Sequence, residues 1–167
     1  MSADATSPGV ALRHMVLTLS ATERGAQPNA QAPSCFAVVL DWNVEGAAHR
    51  DALTASIYAG YDGSASLYTT GSFGIVGGEG HPQIRQAARD AIQVAQELWA
   101  GAQPVFEYPY PRDAEVHAYL IGYDGVRRVT GDFEELCEQE QAHPLFKLFD
   151  AMQQVLTLLR EAHGADA

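Results

Sequence analysis

Apolar and polar residues alternate along "CFAVVLDWNVE", placing Phe36, Val38, Leu40, Trp42 and Val44 on one side of an extended chain. A period of two marks a strand, and the polar residues between them imply that one face is buried and the other is not. The next run, "LTASIYAGYDGSASLYTT", alternates on both sides of an Asp-Gly pair and predicts a hairpin. Two registers compete. A two-residue Asp62-Gly63 turn pairs Ile57 with Tyr68 and Ala59 with Ser66, mixing apolar and polar residues on each face. A three-residue loop with a left-handed Gly63 pairs Ile57 with Leu67 and Ala59 with Ala65. One face then carries Leu53, Ala55, Ile57, Ala59, Ala65 and Leu67, and the other Thr54, Ser56, Tyr58, Ser66 and Tyr68. A one-residue slip would exchange these faces, so the second register is expected.

The period changes to that of a helix at Pro82. Ile84, Ala88, Ala91, Ala95 and Leu98 form one stripe over about residues 82–99, with Pro82 in the first turn, where its missing N–H costs nothing. The closing run, "HPLFKLFDAMQQVLTLLREAHG", is also amphipathic, with Leu145, Leu148, Phe149, Met152, Val155, Leu156 and Leu159 inward and Gly164 just past its end. Between the two helices, "PVFEYPYPRD" holds too many prolines for more than an edge segment. "AEVHAYLIGYDGVRRVT" reads as a second hairpin, and "DFEELCEQEQ" as a short acidic helix capped by Asp132. Near the start, "VALRHMVLTLS" fits either a short helix or a strand, and "SATE" has capping-box spacing. Residues 1–9 read as a tail without structure, and 10–163 as one α+β domain. An antiparallel sheet of about five strands covered by two main helices is expected.

An internal echo bears on that architecture. At an offset of 62 residues, "RDALTASIYAGYDG" meets "RDAEVHAYLIGYDG", and His81-Pro82 meets His143-Pro144. Either a duplicated ββα unit or shared turn chemistry accounts for it; an approximate two-fold relating the hairpins is the structural test.

Charge narrows the function. Ten Lys and Arg stand against 21 Asp and Glu, a formal net charge of −11. Such a chain repels polyanions, which disfavours nucleic acid and anionic membranes and suits solvation or a basic partner. The start lacks a secretory pattern, and no apolar run approaches the ~20 residues of a membrane span. Two cysteines, Cys35 and Cys137, are too few for a disulfide scaffold or a zinc site. A cytoplasmic protein is expected.

Chemistry is sparse. "GSFGIVGGEGHPQIR" (71–85) has five glycines in its first ten residues at a strand-to-helix junction, so Gly77, Gly78, Gly80 and His81 are the candidate ligand-binding residues. Yet Gln83 stands where a dinucleotide fingerprint needs its third glycine, no Lys follows, Glu79 would repel phosphate, and Pro82 removes a donor. A tight structural joint using positive φ explains the glycines at least as well. The six histidines show no metal-ligand spacing, and His117 lies mid-strand, where a half-exposed structural role is expected. Ser64, Ser66 and Ser72 fail the nucleophile-elbow pattern, and neither cysteine sits where a thiolate would be favoured. No catalytic residue, cofactor or metal is assigned. Two candidate interaction surfaces remain: the hairpin face with Tyr58, Tyr68, Ser56 and Ser66, and the acidic helix with Glu134, Glu135 and Glu138. Tyrosines suit protein contacts, although cover by the N-terminal segment explains the same residues.

"FAVVLDW", "SLY" ahead of the glycine run ending in "GEGH", and "YDGV" ahead of "HPLF" together resemble a family of small bacterial proteins without a known activity. The likeness covers about residues 10–162; it implies an α+β fold in a bacterial cytosol and transfers no residue role. The functional expectation is a non-enzymatic interaction protein with a protein partner, such as an immunity- or antitoxin-type inhibitor of a basic protein, or one that self-associates. The alternative is a small-anion site or enzyme using the 71–82 loop with His81.

Overall fold

Strand β1 (Cys35–Asn43) is the centre of the molecule, and its burial explains most of the rest. A computed structural model describes residues 7–44, 53–71, 73–78, 80–138 and 143–164. Antiparallel neighbours flank β1 on both sides: β2 (Thr54–Gly60), which turns into β3 (Ala65–Thr69), and β6 (Glu115–Gly122), which turns into β7 (Val126–Asp132). Two short strands, β4 (Ile75–Val76) and β5 (Gln103–Val105), extend the edges, so seven antiparallel strands run in the order β4-β3-β2-β1-β6-β7-β5. The sheet is larger than the five strands expected. Both additions come from segments whose glycines or prolines mask an extended pattern.

One face of the sheet carries Val38, Leu40 and Trp42 with Ala55, Ile57, Ala59, Ala65, Leu67, Val116, Ala118 and Leu120. Helix α3 (Pro82–Trp99) lies on it through Ile84, Ala88, Ala91, Ile92 and Ala95. Helix α5 (Phe146–Ala162) packs beside α3 through Leu148, Phe149, Met152, Val155 and Leu159. Short side chains at Ala88 and Ala91, both fully buried, let the α3 backbone approach the sheet. The hairpin has the register that keeps this face apolar, with Ile57 opposite Leu67, Ala59 opposite Ala65, and Gly63 at φ 91°.

The opposite face is covered too, which the alternation alone did not indicate. Helix α1 (Pro8–Thr18) and the turn α2 (Ala21–Arg24), with its Ser20/Glu23 capping box, bring Val16, Leu17 and Ala21 against Val39, Tyr58, Tyr68, Tyr119 and Ile121. The start of α1 lies directly on β3, where a methyl on Gly9 would stand 2.1 Å from the Thr69 carbonyl oxygen. Pro8 and Gly9 are therefore helical residues of the fold, not part of a tail. β1 is buried on both faces rather than half-buried. A bulge between Cys35 and Ala37 also turns Phe36 to the α1 side, away from Val38 and Leu40. The bulge takes backbone groups out of the ladder. Gln96 of α3 replaces the lost partners, accepting from Ser34 N–H at 2.9 Å and donating to the Cys35 carbonyl at 2.9 Å.

A rough two-fold along β1 relates the two hairpins, but not the ββα units. β2 and β6 run the same way on opposite sides of β1, so any rotation superposing the hairpins must turn the sheet over. It would carry α3 to the face opposite α5, whereas both helices share one face. Shared turn chemistry accounts for the Gly-Tyr-Asp-Gly and His-Pro matches, and the Arg-Asp-Ala match falls at 50–52 on residues outside those described.

Candidate functional site

A row of polar side chains crosses the α1 face of the sheet. Register places Ser56 and His117 on either side of Asp41, Tyr68 beyond Ser56, and Thr130 beyond His117. Asp41 is fully buried, and Ser56 and His117 are 1% and 5% exposed. Arg13 reaches down from α1, its Nη2 lying 2.6 Å from Asp41 Oδ2 and its Nε donating to both carboxylate oxygens. The same guanidinium donates to the Tyr108 carbonyl at 2.9 Å and stacks 4.0 Å over the Tyr110 ring. One side chain thus joins α1, β1 and the segment 108–110.

Burial pushes the Asp41 carboxyl up, and the Arg13 and Ser56 contacts recover only part of this. Burial also works against the Arg13 guanidinium, but Asp41 outweighs it and holds Arg13 above the ordinary arginine value. Such a pair is retained because every member is satisfied, with the Ser56 hydroxyl donating to the second carboxylate oxygen.

Ser, Asp and His side by side invite comparison with a nucleophile triad, and the connectivity answers it. Asp41 stands between the other two, so Ser56 donates to a carboxylate and has no imidazole to take its proton. His117 faces acceptors with both ring nitrogens: the Pro109 carbonyl at 3.1 Å from Nδ1 and Glu115 Oε2 at 3.1 Å from Nε2. Cys35 is buried and its thiol is pushed up to about 12. Among the described residues, no three His, Cys, Asp or Glu side chains converge as metal ligands would.

The expected surface residues separate into two groups. Tyr58, Tyr68, Ser56 and Ser66 share a face as read, but they are only 1–6% exposed beneath α1 and α2. Arg24 donates to the Tyr58 hydroxyl from above. They are interior residues, because the ambiguous N-terminal run forms a helix and covers them. His117 is likewise buried, not half-exposed. Glu134, Glu135 and Glu138 are exposed on or just after α4 (Phe133–Cys137), whose N-cap Asp132 accepts from Glu134 and Glu135 N–H at 3.0 and 3.2 Å.

In the glycine stretch, Gly77 has φ 89°, and a methyl on Gly78 would stand 2.5 Å from an Ile84 methyl. Gly80 has open space around it. His81 is the exposed N-cap of α3 and makes no capping bond; its ring lies 6.3 Å from that of His163 at the end of α5. Glu79 and Ser72 fall outside the described residues.

Two open features had no counterpart in the sequence reading. At the β4 edge, Phe73 and Val76 are 54% and 63% exposed, large values for such side chains. Phe73 borders an apolar groove of about 600 Å³ lined by Trp42, Val44, Leu53, Leu67 and Leu156. Near the other edge, between β6–β7 and residues 109–112, lies a polar groove of about 560 Å³. The only advance signal was Asp41 and His117 interrupting otherwise apolar strands. No helix among the described residues is long and apolar enough to cross a membrane. Neither a protein-family model, nor a curated protein, nor a solved structure is significantly similar to the chain.

Proposed function

We propose that the chain is a non-enzymatic binding protein that engages another protein through its β4 margin. The observation that carries this reading is the exposure of Phe73 beside an apolar groove, with Val76 exposed on the other face of the same edge. Large apolar side chains left in water at a groove are what an interface core looks like before its partner arrives. The groups with catalytic potential are instead held in internal bonds: Ser56 on Asp41, and His117 between Pro109 and Glu115. A formal charge of −11 favours a partner with a basic surface around the apolar contact, because complementary charge accelerates encounter. An inhibitor of the immunity or antitoxin type fits that description. The acidic face of α4 lies beside β7, across the sheet from β4, and acts through the long-range field rather than at this contact.

The test is capture from native lysate by the wild type and by a Phe73→Asp/Val76→Asp variant of matched thermal stability, with sedimentation to separate self-association. A partner retained by the wild type, released by salt and absent with the variant supports the reading. Identical capture by both proteins would overturn it.

A further inference from the structure

The polar row beginning at Ser56 leaves the protein interior on β7. Thr130 lies opposite His117 and Arg128 opposite Tyr119, so both β7 side chains stand on the face that α1 covers elsewhere. Arg127, one residue away, points to the other face and stacks 4.3 Å over Trp99. Residues 109–112 form the facing wall, and the groove between holds Tyr110, Arg112, Glu115, His117, Arg128 and Thr130.

Three features of this groove point to an anion. The charge is locally inverted: two guanidiniums face one carboxylate in a chain of net charge −11. The two walls are tied together, since the Tyr119 hydroxyl donates to the Pro109 carbonyl at 2.6 Å and Arg128 stands opposite Tyr119 in the ladder. Finally, a carboxylate already occupies the groove. Glu115 Oε2 accepts from His117 Nε2 at 3.1 Å and from Arg112 N–H at 3.3 Å, although the Glu115 side chain is 56% exposed. The Arg112 N–H and His117 hold this carboxyl below its usual range.

We propose that this groove binds a small oxyanion, a carboxylate or phosphate group on a compact ligand, between Arg112, Arg128 and Thr130, and that Glu115 is the internal occupant it displaces. Guanidiniums match both oxyanions through paired N–H donors. A volume of about 560 Å³ is in the range of small-ligand sites. The global negative charge excludes long polyanions and leaves a compact anion as the class that fits. This site lies across the sheet from the β4 margin and does not depend on the protein contact proposed above.

The experiment is an NMR titration of the ¹⁵N-labelled full chain with inorganic phosphate and, separately, with succinate, at ionic strength held constant with NaCl. Saturable shifts at Arg112, His117, Arg128 and Thr130 with either anion are expected, and the stronger arm identifies the oxyanion. Arg128→Gln should weaken binding about tenfold or more, as loss of a charge-assisted bond does. Glu115→Gln should tighten it, by up to about fivefold, by removing the competitor. Should Arg128→Gln fail to fold, Arg112→Gln on the exposed segment gives the same readout. Shifts no larger than those from NaCl alone, shifts centred on residues 77–84, or affinity unchanged by either arginine substitution would overturn the proposal.

Discussion

Arg13 shows how much one side chain can decide. It is 5% exposed, and its guanidinium satisfies Asp41 on β1 and the Tyr108 carbonyl on the 108–110 segment while lying over Tyr110. Removing one partner of such a pair strands a buried charge, whereas removing the whole polar set leaves an apolar site. Arg13→Met alone should therefore destabilise the protein by about 3–5 kcal/mol. The triple replacement Arg13→Met/Asp41→Leu/Ser56→Ala should recover most of that loss. Urea unfolding of the single and triple variants measures both. Loss below about 1 kcal/mol in the single variant would mean that water or another group takes over at Asp41. None of this was visible in "VALRHMVLTLS", where Arg13 reads as an ordinary polar residue on an undecided element.

Elements were legible in proportion to how much of their pattern is local. The hairpin register followed from the requirement that Ile57, Ala59, Ala65 and Leu67 share a face, and α3 spans Pro82–Trp99 because both its start signal and its stripe are explicit. The bulge at Cys35–Ala37 was not legible, because it depends on Gln96 arriving from 61 residues away. Cover over Tyr58 and Tyr68 was one of two readings of that face, and the choice between them depends on α1 docking where Gly9 permits close approach to Thr69. The polar groove failed to show for the same reason, since Arg112 and Arg128 meet only across a sheet edge. α3 offers the element-scale test. Ala88 touches the sheet through its methyl, so Ala88→Leu must lift the helix or force its neighbours off their rotamers. A cost of about 1–3 kcal/mol is expected by chemical denaturation. The same change at exposed Gln86 should be within about 0.5 kcal/mol of the wild type.

At the scale of the whole molecule, alkaline pH opposes the fold in two separable ways. Raising pH adds negative charge to a chain already at −11, and that repulsion is screened by salt. The interior adds a term that salt does not reach. Burial pushes the Cys35 thiol from near 9 up to about 12, and burial likewise raises Tyr58, Tyr68 and Tyr119. Between pH 9 and 12 the unfolded chain has released the Cys35 proton and the folded chain still holds it. The stabilisation is therefore complete below pH 9 and is lost as pH rises through this window, at up to about 1.4 kcal/mol per pH unit for the thiol alone. Urea midpoints measured from pH 7 to 11 should be level at first and then fall. In 0.5 M NaCl the part due to net charge should shrink while the buried part persists. Cys35→Ala should then reduce the remaining slope by the share of one titrating group, leaving that of the tyrosines. An alkaline slope abolished by salt and unchanged in Cys35→Ala would mean that the thiol reaches solvent before the chain unfolds, and the packing of Gln96 against the start of β1 would have to open to let it do so.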